Sequence, residues 1–82
     1  MKIYEIFINR RMVNDYIIGR INGYIYILTG MPEIEYGWGV SEDGKDCFIR
    51  YKATEEQNRS VVECIEKNYS KAFAGIRVIE EL

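Results

Sequence analysis

The 82-residue sequence lacks histidine and contains one proline and two cysteines. Without histidine, the chain cannot form a Ser-His-Asp or Cys-His catalytic arrangement or a zinc site of mixed Cys/His ligands. Two thiols cannot supply a four-cysteine site, and we expect Cys47 and Cys64 to remain reduced in a cytoplasmic protein. The carboxylates mostly flank turns or open a helix, where solvation accounts for them. We therefore predict no enzyme activity, no cofactor and no metal.

The sequence also lacks a strong charge of one sign and a long apolar run. Lys and Arg number 11 and Asp and Glu 13, for a net charge of −2, which argues against a protein held mainly by nucleic-acid phosphates. The longest apolar stretch, residues 24–28, is too short to cross a bilayer, and the first residues lack the apolar core of a secretory signal. Hydrophobic residues make up 48% of the chain, as in folded domains. We expect one cytoplasmic domain over residues 1–82, with no membrane contact.

Apolar alternation and turn signals predict three strands in the first half. Residues 3–8 are β-branched and aromatic, which favours a strand. Residues 13–21 and 24–29 are predicted to be strands joined by a type I′ turn at Asn22-Gly23. One helix cannot cover both faces of such a sheet. Either the sheet curls and buries the second face itself, or that face is an interface whose apolar strip contains Phe7, Ile18, Ile25 and Ile27.

A second hairpin is predicted around Asp43-Gly44, because residues 34–40 alternate between apolar side chains and Glu or Gly. A turn at that dipeptide sets the register of the two strands. The predicted cross-strand pairs are Val40 with Cys47, Trp38 with Ile49, Tyr36 with Tyr51 and Ile34 with Ala53. On the other face of this hairpin, Gly37 and Gly39 would lie opposite Arg50 and Phe48.

One helix and a last strand complete the predicted fold. Thr54 and Gln57 form a capping box, and apolar residues then recur at helical spacing from Val61 to Phe73. Gly75 would end this helix, and residues 76–79 would form a short final strand. The predicted order is β-β-β-β-β-α-β. The fold class is α+β, with a mainly antiparallel sheet of five to six strands and one helix packed on one face.

Protein binding is the function that this pattern favours, by elimination and because apolar and tyrosine side chains are in surplus. We predict a non-enzymatic interaction module that is homodimeric or bound to another protein. Small acidic domains of this kind are common among phage and mobile-element inhibitors of host defence proteins, which act by occupying a binding surface. The predicted contact residues are Arg10, Arg11, Tyr24, Ile25, Ile27, Phe48 and Arg50.

Two alternatives come from other classes. Residues 44–51 and the capped helix after them resemble the third strand and second helix of an RNA-recognition motif, which implies RNA or single-stranded nucleic-acid binding. The sequence departs from that family at Asp46, where an exposed aromatic is expected, and the predicted first half has no helix. A basic strip for this function would comprise Arg10, Arg11, Arg20, Arg50 and Lys52. The second alternative is a small-molecule cavity between sheet and helix, lined by Tyr36, Trp38 and Tyr51.

Overall fold

The structure of the chain, a computed structural model, describes residues 1–30 and 37–82. In chain order the elements are β1 (Lys2–Asn9), α1 (Asp15–Thr29), β2 (Trp38–Val40), β3 (Asp46–Ala53), α2 (Glu55–Tyr69) and β4 (Phe73–Glu81). Short 3-10 turns follow β1 and α2, at Arg10–Met12 and Ser70–Ala72. The strand order is β2-β3-β1-β4, and all three pairings are antiparallel. This β-α-β-β-α-β arrangement is the ferredoxin-like topology, which hosts many unrelated functions.

The α+β class with an antiparallel sheet is confirmed, but the predicted numbers of strands and helices are wrong, because the segment from residue 15 to residue 29 is a helix and not two strands. The described chain has four strands and two helices, where five to six strands and one helix were expected. Ile21 and Ile25 are buried at a spacing of one helical turn, with Ile17 and Leu28 partly buried on the same side. The apolar residues of this segment fit either the alternation of a strand or the spacing of a helix, and packing against the sheet selects the helix.

The ends of α1 carry local signals that the strand interpretation overlooked. The side chain of Asn14 accepts a hydrogen bond from the backbone N–H of Ile17 at 2.9 Å, which makes Asn14 the N-cap. Gly30 ends the helix with a φ of 71°, and its N–H donates to the carbonyl of Tyr26 at 2.8 Å. Asn22-Gly23 lies inside this capped helix, so the predicted hairpin turn does not exist.

The second predicted hairpin is confirmed where the structure describes it. Trp38 pairs with Ile49, Gly39 with Phe48 and Val40 with Cys47, which is the predicted register. The turn itself differs from the predicted two-residue turn, because the Gly44 N–H donates to the carbonyl of Ser41 at 2.9 Å and so places Glu42 and Asp43 at its centre. The predicted pairs of Ile34 and Tyr36 lie outside the described residues. In the loop, Asp43 accepts hydrogen bonds from the hydroxyl of Ser41 and the backbone N–H of Lys45, at 2.7 and 3.0 Å. Gly44 adopts a φ of 73°, which the turn requires of it.

The capping box of α2 is also confirmed, with both of its hydrogen bonds present between Thr54 and Gln57. The end of α2 was predicted incorrectly. The helix ends at Tyr69, and Gly75 lies within β4, which extends well beyond the predicted residues 76–79. A register shift opposite Phe7 and Ile8 marks a β-bulge next to Gly75.

The core lies between one face of the sheet and the two helices. Tyr4, Ile6 and Ile8 of β1 alternate with residues that point the other way, and Ile49 and Tyr51 of β3 lie beside them. Val61 and Ile65 of α2 contribute the helical side of the same core, with α1 beside them. Both helices pack on this face, which leaves the side chains of the opposite face without a covering layer in the described part of the chain.

Candidate functional site

The face of the sheet opposite the helices brings two aromatic side chains together on the central strands. Phe7 of β1 lies directly across from Phe48 of β3. On the outer sides of this pair lie two glycines, Gly75 of β4 beside Phe7 and Gly39 of β2 beside Phe48. We refer to the surface formed by Glu5, Phe7, Phe48, Arg50 and Arg77 as the open face.

The two glycines give the two rings different surroundings. A Cβ atom at Gly39 would lie 3.0 Å from Cζ of Phe48, so the Phe48 ring rests on the glycine backbone. A Cβ atom at Gly75 would meet nothing within 4 Å, so there is open space beside Phe7. Phe7 and Phe48 are both partly exposed. The open face therefore offers two adjacent rings and a clear approach from the β4 side.

A buried carboxylate organises the next row of the open face. The side chain of Glu5 is 1% exposed and lies between Arg50 and Arg77. The Nε–H of Arg50 donates to Oε2 at 2.6 Å, and the Nε–H of Arg77 donates to Oε1 at 2.7 Å. Charge-assisted hydrogen bonds to both oxygens offset the desolvation of the carboxylate. This trio of Glu5, Arg50 and Arg77 has one surplus positive charge. The charge is accessible because the side chains of Arg50 and Arg77 are 37% and 62% exposed.

Each arginine of the trio also lies over one of the rings. Cζ of Arg50 is 4.9 Å from the centroid of the Phe48 ring, and Cζ of Arg77 is 5.5 Å from that of Phe7. Both distances suit cation–π contacts. Within residues 1–30 and 37–82, the two arginines donate to Glu5 through Nε, which leaves their terminal amino groups as donors for a bound molecule. Glu5 thus fixes where two planar cations stand relative to two planar rings.

These residues line a shallow groove of about 430 Å³. The loop after β2 forms one wall through Ser41 and Glu42. The groove is open to solvent, and its floor combines aromatic carbon with guanidinium donors. Such a surface suits a flat group that carries negative charge or hydrogen-bond acceptors.

The contact residues that the sequence predicted fall in separate regions. Phe48 and Arg50 lie on the open face, whereas Ile27 is 78% exposed on α1, on the other side of the sheet. Ile25 is 5% exposed and belongs to the core, so its assignment as a contact residue is wrong. The predicted uncovered strip breaks up for the same reason, because Ile18, Ile25 and Ile27 lie on α1 and not beside Phe7.

Tyr24 and the first two arginines have local structural contacts. The Tyr24 ring stacks on Tyr69 with centroids 6.4 Å apart, and Cζ of Arg20 lies 5.8 Å from its centroid. Arg10 follows β1 and donates from Nη1 to the carbonyl of Gly44 at 2.9 Å. Arg11 lies in the same short turn, and its backbone N–H donates to the side chain of Asn9.

The predicted basic strip is divided between the two sides of the molecule. Arg50 and Lys52 lie on β3, and Arg10 and Arg11 extend this region past the end of β1. Arg20 lies on α1, on the helix side of the sheet. The cavity predicted between sheet and helix is not lined by Tyr51, which is 1% exposed and whose hydroxyl donates to Asn58 Oδ1 at 2.6 Å. Trp38 does line a cavity of about 270 Å³ between the sheet and α1, with Ile21 and Ile49 among its other walls, and Tyr36 lies outside the described residues.

The sequence prediction missed Glu5 and Arg77 as site residues. A signal for Glu5 was present, since a carboxylate amid the apolar residues of β1 needs a partner when that strand is central. Arg77 could not be found in this way, because its register against β1 depends on pairing between the two ends of the chain.

Comparison with protein-family models, with curated proteins and with solved structures gave no match. Of the two helices in the described part of the chain, neither is long and apolar enough to cross a membrane.

Proposed function

We propose that this protein binds single-stranded nucleic acid and that the open face is its binding surface. The observation that carries the proposal is the adjacent pair Phe7 and Phe48 on the central strands, each with an arginine over its ring. Unpaired bases stack on aromatic rings and on guanidinium planes, and arginine also pairs with phosphate. A base can stack on the outer surface of a ring or of its guanidinium while a terminal amino group binds the backbone.

The fold supports nucleic-acid binding, which the sequence analysis placed behind protein binding. The sequence prediction placed no helix between the first two strands, and α1 occupies that position. The resemblance of residues 44–51 to an RNA-recognition motif therefore lies within a sheet of the expected topology, with Phe48 on its exposed side. Asp46 remains a departure: it pairs with Asn9 at the end of the strands, on the same face as Phe48 and two residues from it.

The charge distribution also supports the proposal, although the net charge is negative. Arg50, Lys52 and Arg77 lie on the sheet, with Arg10, Arg11 and Lys45 beyond one end of it. The helix α2 exposes acidic side chains at positions 55, 56, 63 and 66 beside Arg59 and Lys67, while Glu42 and Asp46 place two carboxylates near the open face. With about two or three phosphate contacts, log K should fall with log salt at a slope of roughly −1.4 to −2.1. We therefore expect binding that is moderate and sensitive to salt.

The experiment is a fluorescence-anisotropy titration of a labelled oligouridylate that is short enough to contact only one open face, repeated between roughly 50 and 200 mM salt. Phe7→Leu and Phe48→Leu keep apolar volume and remove the ring, so each should weaken binding about 5- to 100-fold if a base stacks there. Tyr16→Leu on α1 is the matched control, because Tyr16 is 68% exposed and lies on the helix side of the sheet. It should leave affinity unchanged.

A charge control separates a specific surface from general attraction. Arg77→Ala and Arg20→Ala each remove one exposed cation, but only Arg77 lies on the open face. Arg77→Ala should weaken binding and make the salt slope shallower by about 0.7, with little change for Arg20→Ala. Equal effects of the two variants, or wild-type affinity in both phenylalanine variants, would contradict the proposal.

A protein-interaction module is the second candidate function. It is favoured by large exposed side chains on the helix side, where Tyr16, Tyr26 and Ile27 are 68%, 55% and 78% exposed. The narrower expectation, an inhibitor of a host defence protein, stays a prediction without an identified target. Absence of oligonucleotide binding together with stoichiometric capture of a host protein would place this candidate first.

A further inference from the structure

The outward face of α1 is almost free of charge. We refer to the surface formed by Tyr16, Gly19, Gly23, Tyr26 and Ile27 as the α1 saddle, and two exposed charged residues, Asp15 and Arg20, lie at its two borders. On an exposed helix, polar and charged side chains ordinarily face water. The helix α2 follows that rule, since its exposed positions include Glu55, Glu56, Arg59, Glu63, Glu66 and Lys67. The α1 saddle departs from it, although it belongs to the same layer of the molecule.

The shape of the α1 saddle is specific. Gly19 and Gly23 form its floor, and a Cβ atom at either position would meet nothing within 4 Å. Tyr16 forms one wall, and Tyr26 and Ile27 form the other. The walls are about 15 Å apart along the axis at 1.5 Å per residue, which admits a helix of about 10 Å diameter. A bare floor between two apolar walls fits a helix that crosses α1 at an angle.

We propose that the occupant is the α1 helix of a second copy of this chain, so that two saddles interlock about a two-fold axis. In such a dimer, each α1 helix lies in the α1 saddle of the other copy. The same surface is therefore buried in both copies, as a two-fold interface requires. The glycines allow the two axes to approach closely where they cross. Arg20 does not oppose this contact, because its guanidinium lies over its own Tyr24 at 5.8 Å, toward α2.

The available area matches a weak but specific dimer. Tyr16, Tyr26 and Ile27 are 68%, 55% and 78% exposed. Together they offer on the order of 400 Å² in one copy. Two copies, with their glycine backbones, would bury on the order of 1,000 Å², the lower limit for a specific interface. A patch of this size lies within the roughly 300–600 Å² of the largest apolar patch on a typical monomer, and such patches are often functional.

The dimer would leave the proposed strand-binding surface accessible. The α1 saddle and the open face lie on opposite sides of the sheet, so pairing through α1 directs both open faces outward. Two copies could then engage one long strand, and the second contact would be intramolecular. The dimer itself does not depend on nucleic-acid binding.

The test is sedimentation velocity of the full chain over a wide range of concentration. Wild type should pass from monomer to dimer with rising concentration. Gly19→Gln/Gly23→Gln fills the saddle floor, and because those positions are open and glutamine favours helix, the monomer should be more stable. This variant should raise the dimer dissociation constant about tenfold or more, a loss that misfolding cannot explain when its thermal midpoint rises. Ile27→Glu should act in the same direction, and Glu66→Gln on α2 is the matched surface control.

A wild-type chain that stays monomeric at all concentrations would overturn the proposal, whether or not another protein binds the saddle. Dimerisation of the double glycine variant with wild-type affinity would also overturn it, because the contact would then lie elsewhere. Oligonucleotide affinity per site should be the same in Gly19→Gln/Gly23→Gln as in wild type. The failure of one proposal can therefore be told from the failure of the other.

Discussion

Removing both arginines from around Glu5 should destabilise the protein more than the two single changes together. In Arg50→Met, Arg77 still donates to the carboxylate, and in Arg77→Met, Arg50 does so. Each single variant should cost about 1–2 kcal/mol, because one charge-assisted hydrogen bond is lost and the arginines are partly screened by solvent. The double variant leaves a carboxylate that is 1% exposed without a cation, which costs about 3–5 kcal/mol.

The measurement is urea unfolding of wild type, both single variants and the double variant, analysed as a double-mutant cycle. We expect a coupling free energy of about 1 kcal/mol or more, unfavourable in the double variant. A chain of this size has a free energy of unfolding of roughly 4–12 kcal/mol, so the double variant should lose at least about a quarter of it. Arg59→Met on α2 is the matched control, since Arg59 is exposed, and it should change stability by less than about 0.5 kcal/mol.

A third change separates charge burial from lost packing. Adding Glu5→Met to the double variant removes the unpaired charge and should restore most of the lost stability, because apolar replacements of buried ion groups are often neutral. Additivity within about 0.5 kcal/mol in the cycle, or no recovery in the triple variant, would refute the reasoning that Glu5 needs the two arginines.

Three further predictions concern local structure. Burial raises the pKa of the Tyr51 phenol above its ordinary 10.0. The stability that depends on the neutral phenol is therefore present below pH 10.0 and is lost as pH rises through the folded-state pKa. Alkaline unfolding of Tyr51→Phe should accordingly depend less on pH than that of wild type. The backbone N–H of Lys45 and then the hydroxyl of Ser41 lower the pKa of Asp43. The contribution of these hydrogen bonds to the free energy of unfolding is therefore lost as pH falls through the lowered pKa. Asp43→Ala should make the free energy of unfolding depend less on pH in the acid range. Thr54→Ala removes the N-cap of α2 and should cost about 1 kcal/mol in thermal or urea unfolding, with no loss if the cap were unimportant.

The sequence predicts a site residue only where its position in the sheet depends on local pairing or on alternation within one strand. Phe48 and Arg50 were identified because their register against β2 depends on a turn within the same hairpin. Phe7 was assigned to the correct face of β1, since alternation within one strand is enough for that. Its pairing with Phe48 could not be foreseen, because β1 and β3 are joined by most of the first half of the chain. Arg77 lay beyond reach for the same reason.

The sequence by itself determined the elements whose signals are local. The capping box at Thr54 sets the start of α2, the Asp43-Gly44 loop sets the β2–β3 register, and β-branched alternation sets β1. Tertiary structure decided the state of residues 15–29, where apolar side chains are frequent enough to fit a helix or two strands. It also decided that β1 is central, which buries Glu5 between two arginines and sets Phe7 beside Phe48. Those outcomes depend on which segments, distant in sequence, share a sheet face, and local propensity carries no information about that.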